Sequence, residues 1–245
     1  MVLSLIHFLK INQLTNNNTY MNSLKPIFSI VLLVLCAFAL SSCKDDPSPE
    51  LVVSVTYNDL DADYAPLVFG PIPGPPTRPA QKKKYTLFSF KTGQIVANAD
   101  SATTKWDIGF RATSIILNGG TSGPGSAGAI VQKGIFDELK EAPETGYILD
   151  NSANNAFAIS SSPFVTGVTT TTNNWWFNSG SNTSTIVAPL AGQIILIKTD
   201  DNRYAKMEIL SYYKGAPATV NNLTDLDRYY TFRYVYQPND TRSFE

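Results

Sequence analysis

Short segments in which apolar and polar residues alternate with a period of two recur along this chain. The alternation is clearest at residues 85–90, 106–111 and 229–237. Because successive side chains of an extended strand point to opposite faces, such segments predict strands with one buried face. The stretches between them are rich in Gly, Asn, Ser and Thr, which favour turns and loops. The pattern therefore predicts an all-β fold, a single antiparallel β-rich domain.

The segment from Trp106 to Arg111 illustrates the pattern. The alternation predicts that Trp106, Ile108 and Phe110 share one face of a strand. It places Asp107 and Arg111 on the opposite face. Aromatic and β-branched residues are the ones that sheets favour, so we expect a strand with one apolar and one polar side.

A hairpin is predicted near the C-terminus. Residues 193–200 form a nearly continuous apolar run, which is typical of a central strand buried on both faces. The polar turn Asp200–Asn202 follows, and residues 203–213 return as the partner strand. Met207 lies inside this partner strand and shares a face with other apolar residues. We therefore interpret it first as core packing, the usual role of a strand-interior methionine.

The segment from Asn118 to Gly128 contains five glycines and predicts a long flexible loop. It lacks the Gly-Lys-Ser/Thr ending of a phosphate-binding loop, so we interpret it as the mobile rim of a binding site. Its first residues, Asn118, Gly119 and Gly120, are candidate ligand-binding residues. We expect a site between this loop and the segment from Asp150 to Trp176.

The N-terminal region has the organisation of an export signal. Lys25 supplies a positive charge, and residues 27–40 form an apolar run that is short for a membrane span. Leu40-Ser41-Ser42-Cys43 then matches a lipobox, in which a cysteine thiolate accepts a diacylglyceryl group. The alternatives are a plain transmembrane anchor or a cleaved signal in which Cys43 is incidental.

These features predict three parts of the chain. Residues 1–42 are the signal peptide region, in which Met21 is the better initiator, although a long N-terminal extension is the alternative. Residues 43–50 form a lipidated linker that begins at Cys43. Residues 51–245 form the β domain.

Composition narrows the function classes. The net charge is −1 and a basic stripe is missing, which argues against nucleic acid as a partner. The two cysteines both lie in the targeting region, so the mature domain has no disulfide. The only histidine is His7, so we expect no Ser-His-Asp or Cys-His catalysis and no enzyme activity.

Five sequence blocks resemble one known family. They are residues 106–111 (WDIGFR), 127–131 (AGAIV), 175–178 (WWFN), 194–215 (IILIKTDDNRYAKMEILSYYKG) and 229–237 (YYTFRYVYQ). In this order they resemble the HmuY family of Bacteroidetes surface lipoproteins, which bind heme. The residues after Cys43 also resemble the short acidic export tag of such lipoproteins. The resemblance implies a lipid-anchored location on the cell surface, in the outer membrane.

The resemblance further implies a hemophore-like role, in which heme is taken up and passed to an outer-membrane receptor. Members of the family hold heme iron with two axial His or Met side chains. In this chain His7 precedes Cys43, and Met207 is the only methionine after it, so the usual ligand pair is not evident. Met207 is nevertheless the one methionine candidate for the metal, and tyrosine can also ligate ferric heme.

The adjacent residues Trp175 and Trp176 are the best aromatic binding candidates. Neighbouring strand residues point to opposite faces, so we expect one indole to pack inside and the other to be exposed. An exposed indole can stack on a sugar or a porphyrin. The alternative is that both are buried or lie at a sheet edge.

The leading hypothesis is a non-enzymatic surface lipoprotein that binds heme or a related tetrapyrrole for uptake. One alternative is a surface module that uses the same β domain to bind a glycan or a protein partner. Another is an accessory lipoprotein of an outer-membrane transporter.

Overall fold

The computed structural model describes residues 49–63, 83–154, 156–164, 173–181 and 184–245. From Glu50 onward, these residues belong to one compact unit, Glu50–Glu245. The predicted signal region and the lipidation candidate Cys43 lie outside the described residues. Within the described part of the chain, no helix is long and apolar enough to cross a bilayer.

The described residues form short strands separated by turns, with two single-turn 3₁₀ helices at Asn98–Asp100 and Ser152–Asn154. The strands are Ser54–Asp61 (β1), Thr86–Ser89 (β2), Gln94–Val96 (β3), Ile108–Arg111 (β4), Ser114–Leu117 (β5), Gly128–Lys133 (β6), Trp176–Asn178 (β7), Val187–Pro189 (β8), Gln193–Lys198 (β9), Tyr204–Tyr213 (β10) and Asp227–Gln237 (β11).

The strands of the described residues pair in three sheets. A five-stranded sheet has the order β1-β11-β10-β9-β6, a four-stranded sheet has the order β3-β2-β4-β5, and β7 pairs with β8. Every pairing between these strands is antiparallel. The predicted all-β, antiparallel fold is therefore confirmed.

The predicted hairpin is also confirmed. Strands β9 and β10 pair with Ala205 opposite Ile197 and Met207 opposite Ile195. Asn202 in the turn has a positive φ of 59°, a conformation that Asn tolerates better than most residues. Strand β9 is buried on both faces, because its alternate residues enter two different apolar clusters.

The main core lies between the two larger sheets. Phe232 of β11 is fully buried there, and its ring lies within 5.4–5.7 Å of the rings of Phe88, Phe110 and Tyr57. Contacts of this kind add about 0.5–1.5 kcal/mol per aromatic pair beyond the area that they bury. The alternation predicted for residues 229–237 therefore places its aromatic face in this core.

The other face of the five-stranded sheet is covered by a second apolar cluster, which includes Phe136 and Phe244. Lys206 of β10 enters this cluster and is only 3% exposed. Its ammonium group donates hydrogen bonds to the carbonyl oxygens of Phe136 (2.7 Å) and Leu139 (2.8 Å). Burial lowers the pKa of Lys206. This lysine fastens the turn at 135–139 to the sheet, a role that the sequence did not indicate.

Candidate functional site

An open groove of about 510 Å³ crosses the outer face of the four-stranded sheet. Its floor is a third apolar cluster, formed by Leu87, Trp106 and Ile116. Strand pairing builds this floor, because Leu87 lies opposite Gly109 and Gly109 lies opposite Ile116. Since side chains alternate along each strand, Leu87, Gly109 and Ile116 share the face that points away from the main core.

Gly109 allows the floor to be flat. A Cβ atom at this position would lie 3.0 Å from Cγ1 of Ile116 and 3.1 Å from Cδ2 of Leu87. Both distances are shorter than ordinary van der Waals contact. The absence of a side chain at Gly109 therefore lets the two flanking apolar side chains close over strand β4.

The position of Trp106 differs from the one that the sequence predicted. We expected its side chain to share a face with Ile108 and Phe110, but those two lie in the main core and Trp106 lies in the groove floor. The reason is that β4 begins at Ile108, so the alternation does not extend back to Trp106. The indole N–H donates a hydrogen bond to the carbonyl oxygen of Ser101 at 3.0 Å, which fixes the ring in the floor.

The rim of the groove is cationic. Its lining includes Lys83, Lys84 and Arg111 beside the ring of Tyr85. The guanidinium carbon of Arg111 lies 4.5 Å from the centre of the Tyr85 ring, within cation–π range. Nη1 of Arg111 also donates to the carbonyl oxygen of Lys83 at 3.4 Å. The predicted polar side of β4 thus reaches the groove through Arg111.

One end of the groove lies where the sequence predicted a site. Ser122 of the Gly-rich loop and Phe157 of the segment after Asp150 both line it. Phe157 is half-buried and packs against the floor cluster. The two predicted segments therefore do meet at a concave surface, although most of that surface comes from the sheet.

Asn118, a predicted ligand-binding residue, forms hydrogen bonds that hold the Gly-rich loop in place. The side-chain amide of Asn118 is fully buried, and its nitrogen donates to the carbonyl oxygens of Thr103 (2.9 Å) and Trp106 (2.8 Å). Its oxygen accepts from the backbone N–H of Gly125 at 3.1 Å. These hydrogen bonds connect the start of the loop to residues 103 and 106 and to its far end at Gly125. The loop that the sequence predicted to be flexible is therefore held by buried hydrogen bonds.

Gly119 and Gly120 allow close backbone packing in the same loop. A Cβ on Gly119 would lie 2.1 Å from the carbonyl oxygen of Ala127, and one on Gly120 would lie 2.0 Å from that of Asp150. Gly120 also has a φ of 62°, which glycine adopts without strain. The structure thus gives both glycines a role in loop geometry, and direct ligand contact by them stays a prediction.

The two adjacent tryptophans are both buried. Trp175 is 1% exposed and Trp176 is 6% exposed, so the prediction that one indole is exposed is wrong. Each indole N–H has an internal acceptor at 3.0 Å, the carbonyl oxygen of Thr113 for Trp175 and that of Ser161 for Trp176. Strand β7 begins only at Trp176, so the alternation of faces does not extend back to Trp175, and both side chains lie in the main core.

Met207 lies on β10 with no exposed surface, inside the main core. This position agrees with core packing and keeps its sulfur away from the groove. Among the described residues, no cluster of three or more His, Cys, Asp or Glu side chains could hold a metal ion. The histidine His7 lies outside the described residues.

A second cleft, of about 480 Å³, lies beside Asp107, Asp201 and Tyr236. Asp107 is 9% exposed, and its carboxylate accepts a hydrogen bond from the backbone N–H of Phe90 at 2.8 Å. Burial, reinforced by the negative charges of Asp201 and Asp200, raises the pKa of Asp107 to about 6. The sequence placed Asp107 on a polar face, and nothing in the pattern indicated that this face is covered.

Comparison with known proteins identifies the family. Residues 81–234 match the family described as HmuY protein, and the chain therefore belongs to the HmuY family. This is a family of binding proteins. None of the curated proteins compared with the chain matches it significantly.

Three of the solved structures to which this chain is similar are proteins from Bacteroides and Tannerella. A proposed lipoprotein from Bacteroides fragilis is 17% identical, with a TM-score of 0.43, and the alignment covers 76% of this chain and 90% of the other. An apo HmuY analogue from Tannerella forsythia is 16% identical (TM-score 0.39; 80% and 100% covered). A proposed HmuY-like heme-binding protein from Bacteroides vulgatus is 15% identical (0.43; 80% and 97%). The family assignment depends on the sequence match and not on these TM-scores.

Proposed function

We propose that this protein is a lipid-anchored surface protein that binds heme or a related tetrapyrrole for uptake, and that the groove on the four-stranded sheet is the binding site. The observation that carries the proposal is the combination of family membership with a groove that has an apolar floor and a cationic rim. A tetrapyrrole such as heme has a flat apolar ring and carboxylates at one edge. The two parts of the groove match these two parts of the ligand.

The anchor belongs to the same proposal. Cys43 is the last residue of the lipobox and would carry acyl chains, each buried methylene contributing about 0.8 kcal/mol to membrane association. Residues 44–50 would then tether the compact unit to the outer membrane. A bound tetrapyrrole would pass from there to an outer-membrane receptor.

Among the described residues, the lining of the groove includes neither His nor Met, the usual axial ligands of heme iron, and Met207 is buried in the main core. The lining residue with a side-chain oxygen suited to ferric iron is Tyr85, whose ring lies beside Arg111. The groove therefore fits the ring and the carboxylates of heme better than it fits the usual axial ligation.

Titration of the purified protein with hemin tests the proposal. We expect a saturable shift of the Soret band relative to free hemin. Replacement Phe157→Ala removes an aromatic side chain from the groove and should weaken binding, whereas Phe164→Ala removes a 43%-exposed phenylalanine that is not part of the groove lining. Loss of binding in Phe164→Ala alone would place the ligand elsewhere, and a free-hemin spectrum throughout would contradict heme binding.

The glycan alternative loses its main support. It required an exposed aromatic platform at Trp175 or Trp176, and both side chains are buried. We therefore do not propose it.

A further inference from the structure

Among the described residues, the cations around the groove have no acidic partner. The described part of its lining includes Lys83, Lys84 and Arg111 and neither Asp nor Glu. Within the described part of the chain, the ion pairs involve other Lys and Arg residues. Three positive charges at one rim favour a ligand that carries negative charge at its edge.

Arg111 is placed to bind a carboxylate. Its guanidinium is held against the ring of Tyr85 and by one hydrogen bond to the carbonyl oxygen of Lys83. A guanidinium has five N–H donors, and such a fork suits a carboxylate in a bidentate geometry. The orientation of Arg111 is thus largely set before a ligand arrives, which lowers the entropy lost on binding.

The apolar surface that a ligand can touch lies above the floor. Leu87, Trp106 and Ile116 are only 2%, 1% and 8% exposed, and the half-buried rings of Tyr85 and Phe157 pack against them. A flat ring lying against these two aromatic side chains would be held by contact over its face, with or without a central metal.

We propose that the groove recognises a tetrapyrrole through its ring face and its carboxylates, so that a metal-free dicarboxylic porphyrin binds about as tightly as heme. This inference rests on the proposed function, since it specifies what that same site recognises. It departs from axial-ligand recognition because the groove combines an anion-binding rim with the half-buried rings of Tyr85 and Phe157 above an apolar floor. The protein would then accept porphyrins with various metals or with none.

A comparison of three ligands tests the inference: hemin, metal-free protoporphyrin IX and the dimethyl ester of protoporphyrin IX. Binding is followed by absorbance and by quenching of tryptophan fluorescence. We expect hemin and protoporphyrin IX to differ by less than about threefold in Kd, and the ester to bind at least about tenfold more weakly because its carboxylates are blocked.

Charge-removing variants locate the carboxylate contact. Arg111→Gln should weaken hemin and protoporphyrin IX equally, by about tenfold, and should leave the ester unchanged. Lys133→Gln is the matched control, because Lys133 is exposed on strand β6 and does not line the groove. Circular dichroism of each variant verifies that it is folded.

The outcomes separate this inference from the proposed function. Binding of hemin with little or no binding of protoporphyrin IX would overturn the inference and leave heme binding intact. If Tyr85→Phe removed that preference for hemin, the iron would be ligated by Tyr85. Failure of both porphyrins to bind would overturn the proposed function itself. An ester that binds as tightly as the free acid would overturn the role of the rim.

Discussion

The carboxylate of Asp150 accepts a hydrogen bond from the backbone N–H of Leu117 at 2.9 Å. Its other oxygen accepts from the backbone N–H of Ala158 at 3.0 Å, and the side chain is only 2% exposed. One buried carboxylate thus ties the last strand of the four-stranded sheet to the segment that carries Phe157. The end of the groove depends on this connection.

Replacement Asp150→Asn should destabilise the protein by about 2–3 kcal/mol. An amide retains one acceptor oxygen, and its NH₂ group would face a backbone N–H, so one buried hydrogen bond to a charged group is lost. Urea unfolding followed by fluorescence measures the change in free energy. A change of less than about 0.5 kcal/mol would contradict the role given to Asp150.

Replacement Asn118→Ala should loosen the Gly-rich loop. It removes two donated hydrogen bonds and one accepted bond from a buried amide, at a cost of about 2 kcal/mol or more. Hydrogen–deuterium exchange should show faster exchange of amides between 119 and 127. Unchanged exchange in that segment would mean that Asn118 does not hold the loop.

Replacement Trp175→Ala should destabilise the protein. The side chain is 1% exposed and lies in the main core, so its removal should cost about 3–5 kcal/mol. Trp175→Phe should cost less, because it retains an aromatic ring and loses the bond to the carbonyl oxygen of Thr113. A folded Trp175→Ala protein of unchanged stability that no longer binds hemin would instead support a stacking role.

Stability should depend on pH through Asp107. Its pKa is about 6 in the folded protein and near 3.8 when unfolded, so the folded state retains a proton in this window. Stability therefore falls as the pH rises from about 4 to 6, by about 3 kcal/mol from this group, and the full cost is present above that range. Asp107→Asn should remove this contribution.

Urea unfolding at about pH 4 and pH 7.5 measures that effect. From about pH 4 to pH 7.5, the free energy of unfolding of Asp107→Asn should rise by up to about 3 kcal/mol relative to that of the natural protein. The corresponding difference for the exposed control Glu138→Gln should be much smaller. An equal effect of Asp107→Asn at both pH values would show that Asp107 does not titrate in this range.

Replacement Cys43→Ser tests the anchor. If Cys43 carries the lipid, the variant should move from the membrane fraction to the soluble fraction of exporting cells, since a single cysteine supplies the acyl chains. Recovery of the variant from membranes with unchanged detergent behaviour would contradict lipidation at this position.

The strands could be predicted because their burial follows local alternation. The aromatic face of β11 and the doubly buried β9 are both visible in the order of residues alone. The alternation failed at Trp106, where the strand had not yet begun. It failed again at Trp175 and Trp176, because β7 begins only at Trp176 and both side chains lie in the main core.

The groove could be predicted only in part. Local patterns indicated the Gly-rich loop and the segment after Asp150, but the floor is assembled by pairing of β2, β4 and β5. That pairing brings Lys84 and Arg111 together, and the hydrogen bonds of Asp150 hold the segment that carries Phe157 against the sheet. Local sequence patterns do not reveal which strands pair, so they could not predict that these residues meet.

A crystal structure of the protein with hemin tests the central claim most directly. We predict that the ring lies in the groove against Tyr85 and Phe157, with a carboxylate at hydrogen-bond distance from Arg111. Hemin bound at any other surface, with the groove of the four-stranded sheet unchanged and open, would contradict the account.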